Sequence, residues 1–169
     1  MTIDHVRVIY AEHAAFVWRV LRGMGIADTQ IEDAVQDVFV VVQRRYAEFD
    51  HRAKIRTWLF EIAYRIAQQH RRSRARTHTL VDLDEAVHAS EPSPVQHLEQ
   101  NESLRLVGQL LEMLDEEKRI VLVLADLEGM TAPEIAELLS VPLNTVYTRL
   151  RRARIQFNEA LASRAGRET

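Results

Sequence analysis

The chain has no cysteine, and only five glycines and four prolines, among its 169 residues. Each scarcity removes a class of protein. Without thiols there is no disulfide framework and no cysteine-ligated zinc or iron–sulfur site. The longest apolar runs, such as Val38 to Val42 and Ile120 to Ala125, fall far short of the ~18 residues that cross a bilayer. The opening "MTIDHVRV" has no basic-then-apolar leader, so the expectation is a cytoplasmic chain with no membrane insertion. The seven histidines include no His-x-x-x-His pair, and no glycine-rich phosphate loop is present. The sequence therefore points away from an enzyme, a metal site, a bound cofactor or a small-molecule substrate.

What is there is helical periodicity. Apolar residues recur at spacings of three and four almost throughout, with no sustained strand alternation, so the fold class is all-α. The first helix is expected from about Ile3 to Arg22, stopped by Gly23 and Gly25. A second begins near Thr29, where "TQIE" offers a capping box of Thr29 and Glu32. Its inward stripe is Ile31, Ala34, Val35, Val38, Phe39, Val42 and Tyr46. After the polar interruption "EFDHRAKIR" (48–56), a third helix turns Leu59, Ile62, Ala63 and Ile66 inward and ends in "HRRSRAR". Trp58 shares the phase of Leu59 and Ile62 and reads as core, whereas Phe49 is open between core and base stacking.

These three helices make a first domain, 1–76. Residues 77–100 are acidic, carry Pro92 and Pro94, and read as a flexible linker. A second domain, 101–169, resumes with the stripe Leu104, Val107, Leu110, Leu111 and Leu114, to which Leu98 is in phase. Asp115 is placed to cap the next helix and Gly129 to end it.

The formal net charge of −3 hides a segregated distribution. Residues 51–78 carry eight Lys/Arg against one acid, and residues 146–169 carry six against two. Residues 79–117 reverse this, with one arginine against ten acids. Two basic blocks separated by an acidic one suit two contacts with a polyanion.

The second block lies in "TAPEIAELLSVPLNTVYTRLRRAR" (131–154). Thr131 and Glu134 form a capping-box pattern, and Pro133 lies in the first turn, where its missing N–H does no harm. Ile135, Ala136 and Leu139 face inward; "SVP" breaks the helix, although Ser140 stands where glycine would turn more easily. Val146, Leu150, Ala153 and Phe157 then form a buried stripe. At about 100° per residue, Asn144, Thr148 and Arg151 fall opposite it, flanked by Tyr147 and Arg152. This matches a helix-turn-helix, whose second helix enters the major groove. Arginine can bridge guanine acceptors, asparagine can do so with adenine, and threonine can bond a base or touch a thymine methyl. Arg149 and Arg154 lie nearer the helix sides, where phosphates or the chain's own carboxylates are their partners.

Three stretches in order, "DAVQDVFVVVQRRYAEFD", "IRTWLFEIAYRIAQQHRR" and "LDEEKRIVLVLADLEGMTAPEIAELLSVPLNTVYTRLRRAR", strongly resemble the extracytoplasmic-function (ECF) group of sigma-70 family bacterial sigma factors. The resemblance covers roughly residues 10–76 and 101–163. It implies a three-helix sigma2-like domain and a four-helix sigma4-like domain, and a dissociable subunit of RNA polymerase that directs promoter-specific initiation. By resemblance, the first domain binds core polymerase and captures the melted minus-ten strand, while the second reads the minus-thirty-five element as duplex.

The polymerase clamp contact then falls on Asp33, Gln36, Asp37, Val40 and Arg44, which share one helix side. Minus-ten contacts fall on Phe49, Arg52, Lys54, Arg56, Tyr64, Arg65, Gln68 and Gln69. Arg65 stands where the family often has asparagine. Minus-thirty-five contacts fall on Asn144, Thr145, Tyr147, Thr148, Arg151 and Arg152, with Tyr147 where many members carry a cation. The resemblance also implies promoter DNA as a partner and an anti-sigma factor, often membrane-anchored. A helix-turn-helix regulator acting on duplex operators without polymerase is the rival reading; it is opposed by the first domain and by the lack of a heptad seam for dimerisation.

Overall fold

A computed structural model describes residues 2–77 and 102–167. The acidic linker expected at 77–100 lies almost wholly outside these residues. The described residues form seven α-helices and no strand. They fall into two compact units divided after residue 100, with Arg22–Gly25 belonging to the second.

The first unit is built on α1 (Thr2–Gly23), α2 (Ile31–Arg45) and α3 (Ile55–Thr77). Past the end of α1, Ile26 N–H donates to the Leu21 carbonyl and Gly25 N–H to that of Arg22. Gly25 sits at φ 88°, a left-handed conformation that glycine adopts without a Cβ clash. The expected Thr29–Glu32 capping box does not form. Helix α2 begins at Ile31 with Gln30 as its cap residue and no side-chain cap bond. A preceding turn, in which Gln30 N–H donates to Ala27 O, places Thr29 inside the turn instead of at its exit.

From there the periodicity holds: Ile31, Ala34, Val35, Val38, Phe39 and Val42 are buried, as are Leu59, Phe60, Ile62, Ala63, Ile66 and Ala67 of α3. Burying each large aliphatic side chain contributes roughly 1.5–3 kcal/mol, so the facing stripes of α2 and α3 form the energetic centre of the unit. Helix α1 joins them through Tyr10, whose ring meets Phe39 edge-on at 4.7 Å. Tyr46 leaves the α2 stripe: it opens a 3-10 turn (Tyr46–Glu48) and is only half-buried.

The second unit contains α4 (Glu102–Glu112), α5 (Glu116–Leu122), α6 (Ala132–Leu139) and α7 (Leu143–Ala165). Asp115 caps α5 as expected, accepting from Lys118 N–H at 3.0 Å. Helix α5 passes into a π-helical turn (Val123–Leu127), so the chain from Ile120 to Leu124 is buried on every side. Gly129, at φ 67°, closes this segment. Arg119 donates from Nε to Leu111 O at 2.8 Å and from Nη2 to Leu114 O at 2.7 Å. The two carbonyls lie at and just past the C-terminal end of α4, where backbone acceptors outnumber helical donors, and Leu111 O also accepts from Leu114 N–H at 3.1 Å. Helix α7 packs along α4, α5 and α6 with Val146, Leu150 and Ala153 fully turned in.

Candidate nucleic-acid interfaces

In the second unit the site is a helix presented by a turn. The Thr131 hydroxyl accepts from Glu134 N–H while Glu134 Oε2 accepts from Thr131 N–H at 2.9 Å, the reciprocal capping box anticipated from sequence. Helix α6 ends at Ser140, the one non-glycine residue at positive φ (53°) among the described residues. Val141 N–H then donates to Ala136 O at 3.0 Å, and Pro142 leads directly into α7. The turn is thus fixed at both ends, and α7 has a defined direction and phase.

That phase exposes the base-reading chemistry. Asn144, Tyr147, Thr148, Arg151 and Arg152 are exposed, Tyr147 to 52%, while Thr145 is half-buried. Asn144, Thr145, Thr148 and Arg152 line a groove of about 480 Å³ with Arg149, Lys118, Asp115 and Glu117.

The four arginines of α7 between 149 and 154 divide into two kinds. Arg154 makes two bonds to Asp126, at 2.6 and 3.1 Å. Donating to this carboxylate pushes the guanidinium pKa above its ordinary value. Arg149 meets Glu117 at 3.1 Å. Arg151 and Arg152, by contrast, have no ion-pair partner among the described residues. The paired arginines are therefore the two on the helix sides, and the unpaired ones belong to the outward face. Glu117 and Asp126 escaped the sequence reading because each acid lies on a different element, Asp126 being 28 residues from its arginine.

The first unit has a different surface. Phe49 is 9% exposed and packs against Trp58 at a centroid distance of 4.9 Å and His51 at 5.0 Å. Tyr46 adds an edge-on contact to His51 at 6.0 Å. The structure therefore puts the ring of Phe49, expected among the minus-ten contacts, inside a packed aromatic wall. Trp58 is half-buried in the same wall. The loop between Phe49 and α3 is shaped by Asp50, whose side chain accepts from Arg52 N–H at 3.0 Å. Arg52, Lys54 and Arg56 are exposed around this wall, the Arg56 guanidinium lying 5.4 Å from the Phe16 ring centroid. Farther along α3, Tyr64, Arg65 and Gln69 are exposed and Gln68 is half-buried. Tyr64 is stacked beside Phe60 at 6.4 Å.

On α2, Asp33, Gln36, Asp37, Val40 and Arg44 are all exposed, including 44% of the apolar Val40. Asp37 has a second engagement that spacing did not reveal: its Oδ2 lies 2.9 Å from His70 Nε2 on α3. Among the described residues there is no cluster of potential metal ligands and no helix long and apolar enough to cross a membrane.

Two family models match the chain: Sigma-70 region 2 over residues 9–77 and Sigma-70 region 4 over residues 104–157. The RNA polymerase sigma factor CnrH of Cupriavidus metallidurans is 32% identical over 90% of this chain and 84% of its own length. The ECF RNA polymerase sigma-E factor of Escherichia coli is 31% identical over 73% of this chain and 70% of its own. A solved structure of CnrH in complex with the cytosolic domain of CnrY superposes with a TM-score of 0.63 at 27% identity, covering 94% of this chain and 88% of that one. Two helical units carrying both matched regions in order, together with these relatives, place the chain in the sigma-70 family, among its ECF RNA polymerase sigma factors.

Proposed function

We propose that the two units of this sigma factor divide promoter recognition, the second reading duplex DNA through α7 and the first holding a separated strand beside α3. The observation that carries this reading is the outward face of α7. Asn144, Thr148, Arg151 and Arg152 are exposed on a helix whose opposite face is locked into the core. Base edges in the major groove are what such side chains recognise. The first unit supplies cations around an aromatic wall, a combination suited to phosphates and unstacked bases. Asp33, Gln36, Asp37, Val40 and Arg44 form the mixed face we assign to core polymerase.

In this reading the chain contributes recognition and no bond chemistry, and it acts in the cytoplasm alongside polymerase. CnrH was solved with the cytosolic domain of CnrY; by analogy, we include an anti-sigma factor among the partners of this chain. The operator-binding alternative is not favoured, because it leaves the first unit and its exposed α2 face without a role.

Run-off transcription with purified core polymerase tests the proposal. Promoter-dependent initiation that requires both upstream elements is the expected result. Tight, sequence-specific binding to a palindromic duplex in the absence of polymerase would overturn it.

A further inference from the structure

We propose that Glu117 gates Arg149, holding it off nucleic acid in the free protein and yielding it to a backbone phosphate when α7 docks on a duplex. This rests on the reading of α7 as the duplex-binding helix.

The geometry separates the two paired arginines. Arg154 is held by two bonds to Asp126, so leaving it breaks a two-point contact. Arg149 has a single 3.1 Å contact with Glu117, whose side chain is 70% exposed. Arg149 is half-buried, but a single ion pair whose carboxylate stands in water is a weak tie, because water screens it and its long side chains lose entropy in forming it. An arginine that neutralises a DNA phosphate displaces condensed counterions, a gain the carboxylate cannot match. Exchange of Glu117 for phosphate is therefore downhill once a duplex arrives.

Position supports the exchange. Arg149 lines the same groove as Asn144, Thr148 and Arg152, so it borders the surface that meets the duplex. The other acid there, Asp115, is fixed by Lys118 through both its ammonium (2.6 Å) and its backbone N–H (3.0 Å). Glu117 is the acid free to swing into water. In the free protein the gate subtracts one cation from the docking face, which keeps unassisted DNA binding weak and leaves promoter engagement dependent on polymerase.

The test uses the full chain and a labelled duplex of random sequence at low salt, with binding read by fluorescence anisotropy. Glu117→Gln is expected to tighten binding roughly two- to fivefold, the worth of an exposed ion pair. That gain is expected to vanish in the Arg149→Ala background. No tightening, or a gain of equal size without Arg149, would overturn the gate, since the latter result means that Glu117 merely repels DNA. Arg151→Ala in the same assay judges the underlying reading separately. If it weakens binding while Glu117→Gln changes nothing, only the gate fails; if Arg151→Ala has no effect, the duplex-reading face fails and the gate with it.

Discussion

Helices α3 and α7 are each 23 residues long and each carries a run of arginines, yet the chain approaches them in opposite ways. Into α3 the chain runs past an aromatic wall of Tyr46, Phe49, His51 and Trp58. Into α7 it arrives through a tight turn with small polar side chains, Asn144, Thr145 and Thr148, at the first turns. A melted strand offers the faces of its bases, which aromatic groups and cations engage without regard to hydrogen-bond pattern. A duplex hides those faces and offers only edges, which amides, hydroxyls and guanidinium groups distinguish. In the proposed reading, two similar helices become two kinds of reader through the residues at their starts.

Charge management differs too. Helix α7 gives two of its arginines to carboxylates of its own unit and keeps Arg151 and Arg152 outward. The arginine count therefore overstates the cations left unpaired on α7 in the free protein.

The comparison can be broken most severely at α7. Replacing Arg151 and Arg152 together by alanine is expected to lower initiation on a dependent promoter by about a hundredfold or more, at roughly 1–3 kcal/mol per lost contact. Run-off transcript yield checks this, and unchanged yield would remove α7 from the recognition scheme. On the α3 side, Phe49→Ala is expected to destabilise the first unit by about 3 kcal/mol, measured by denaturant unfolding, because it empties a packed site. Phe49→Leu keeps most of the burial but removes one ring of the aromatic wall, so in the proposed reading strand opening measured by permanganate reactivity should fall while binding to the upstream duplex is retained.

Smaller effects sharpen the same contrast. Ser140→Gly relieves a left-handed conformation at the entry to α7 and is expected to stabilise the second unit by about 1 kcal/mol. No rise in thermal midpoint would show that the turn is already unstrained. In the first unit His13 is largely buried, with Nδ1 lacking a hydrogen-bond partner among the described residues. Burial lowers its pKa from the ordinary 6.5, Glu12 opposing and Arg56 assisting. The unfolded chain therefore takes up this proton more readily than the folded one. The stability of the unit should be unaffected by His13 above about pH 6.5 and should decline as pH falls from there towards the lowered folded value. His13→Gln should flatten that decline in acid-unfolding curves.

How far the sequence carried can be judged from two identical patterns. Thr131 and Glu134 form their capping box, whereas Thr29 and Glu32 do not, although both pairs share the same spacing. Local pattern was sufficient where the chain enters α6 from an extended residue. It failed where a turn anchored at Ala27 shifted the start of α2 by two residues. Apolar periodicity located the core stripes of α2, α3 and α7 because burial follows the helical repeat directly, except at their ends, where Tyr46 and Phe157 were expected to be buried and are only half-buried. The outward positions of Thr148 and Arg151 followed from the same repeat. What the sequence did not show was pairing across elements: Asp37 with His70, Arg149 with Glu117, Arg154 with Asp126. Nor did it show the π-helical turn that carries Asp126, since these features depend on how helices lie against one another. Phe49 remained undecided for the same reason, its neighbour Trp58 lying on the next helix.

The central claim is that the two units grip one promoter in two physical states. Photocrosslinking from Tyr64 and Tyr147, each replaced by an aromatic photoreactive analogue in polymerase complexes with promoter DNA, tests it most directly. The account predicts that position 147 crosslinks to the upstream duplex in both closed and open complexes, and that position 64 crosslinks downstream, to a single strand, only after melting. Crosslinking of both positions to the same element, or of position 64 to intact duplex alone, would contradict it.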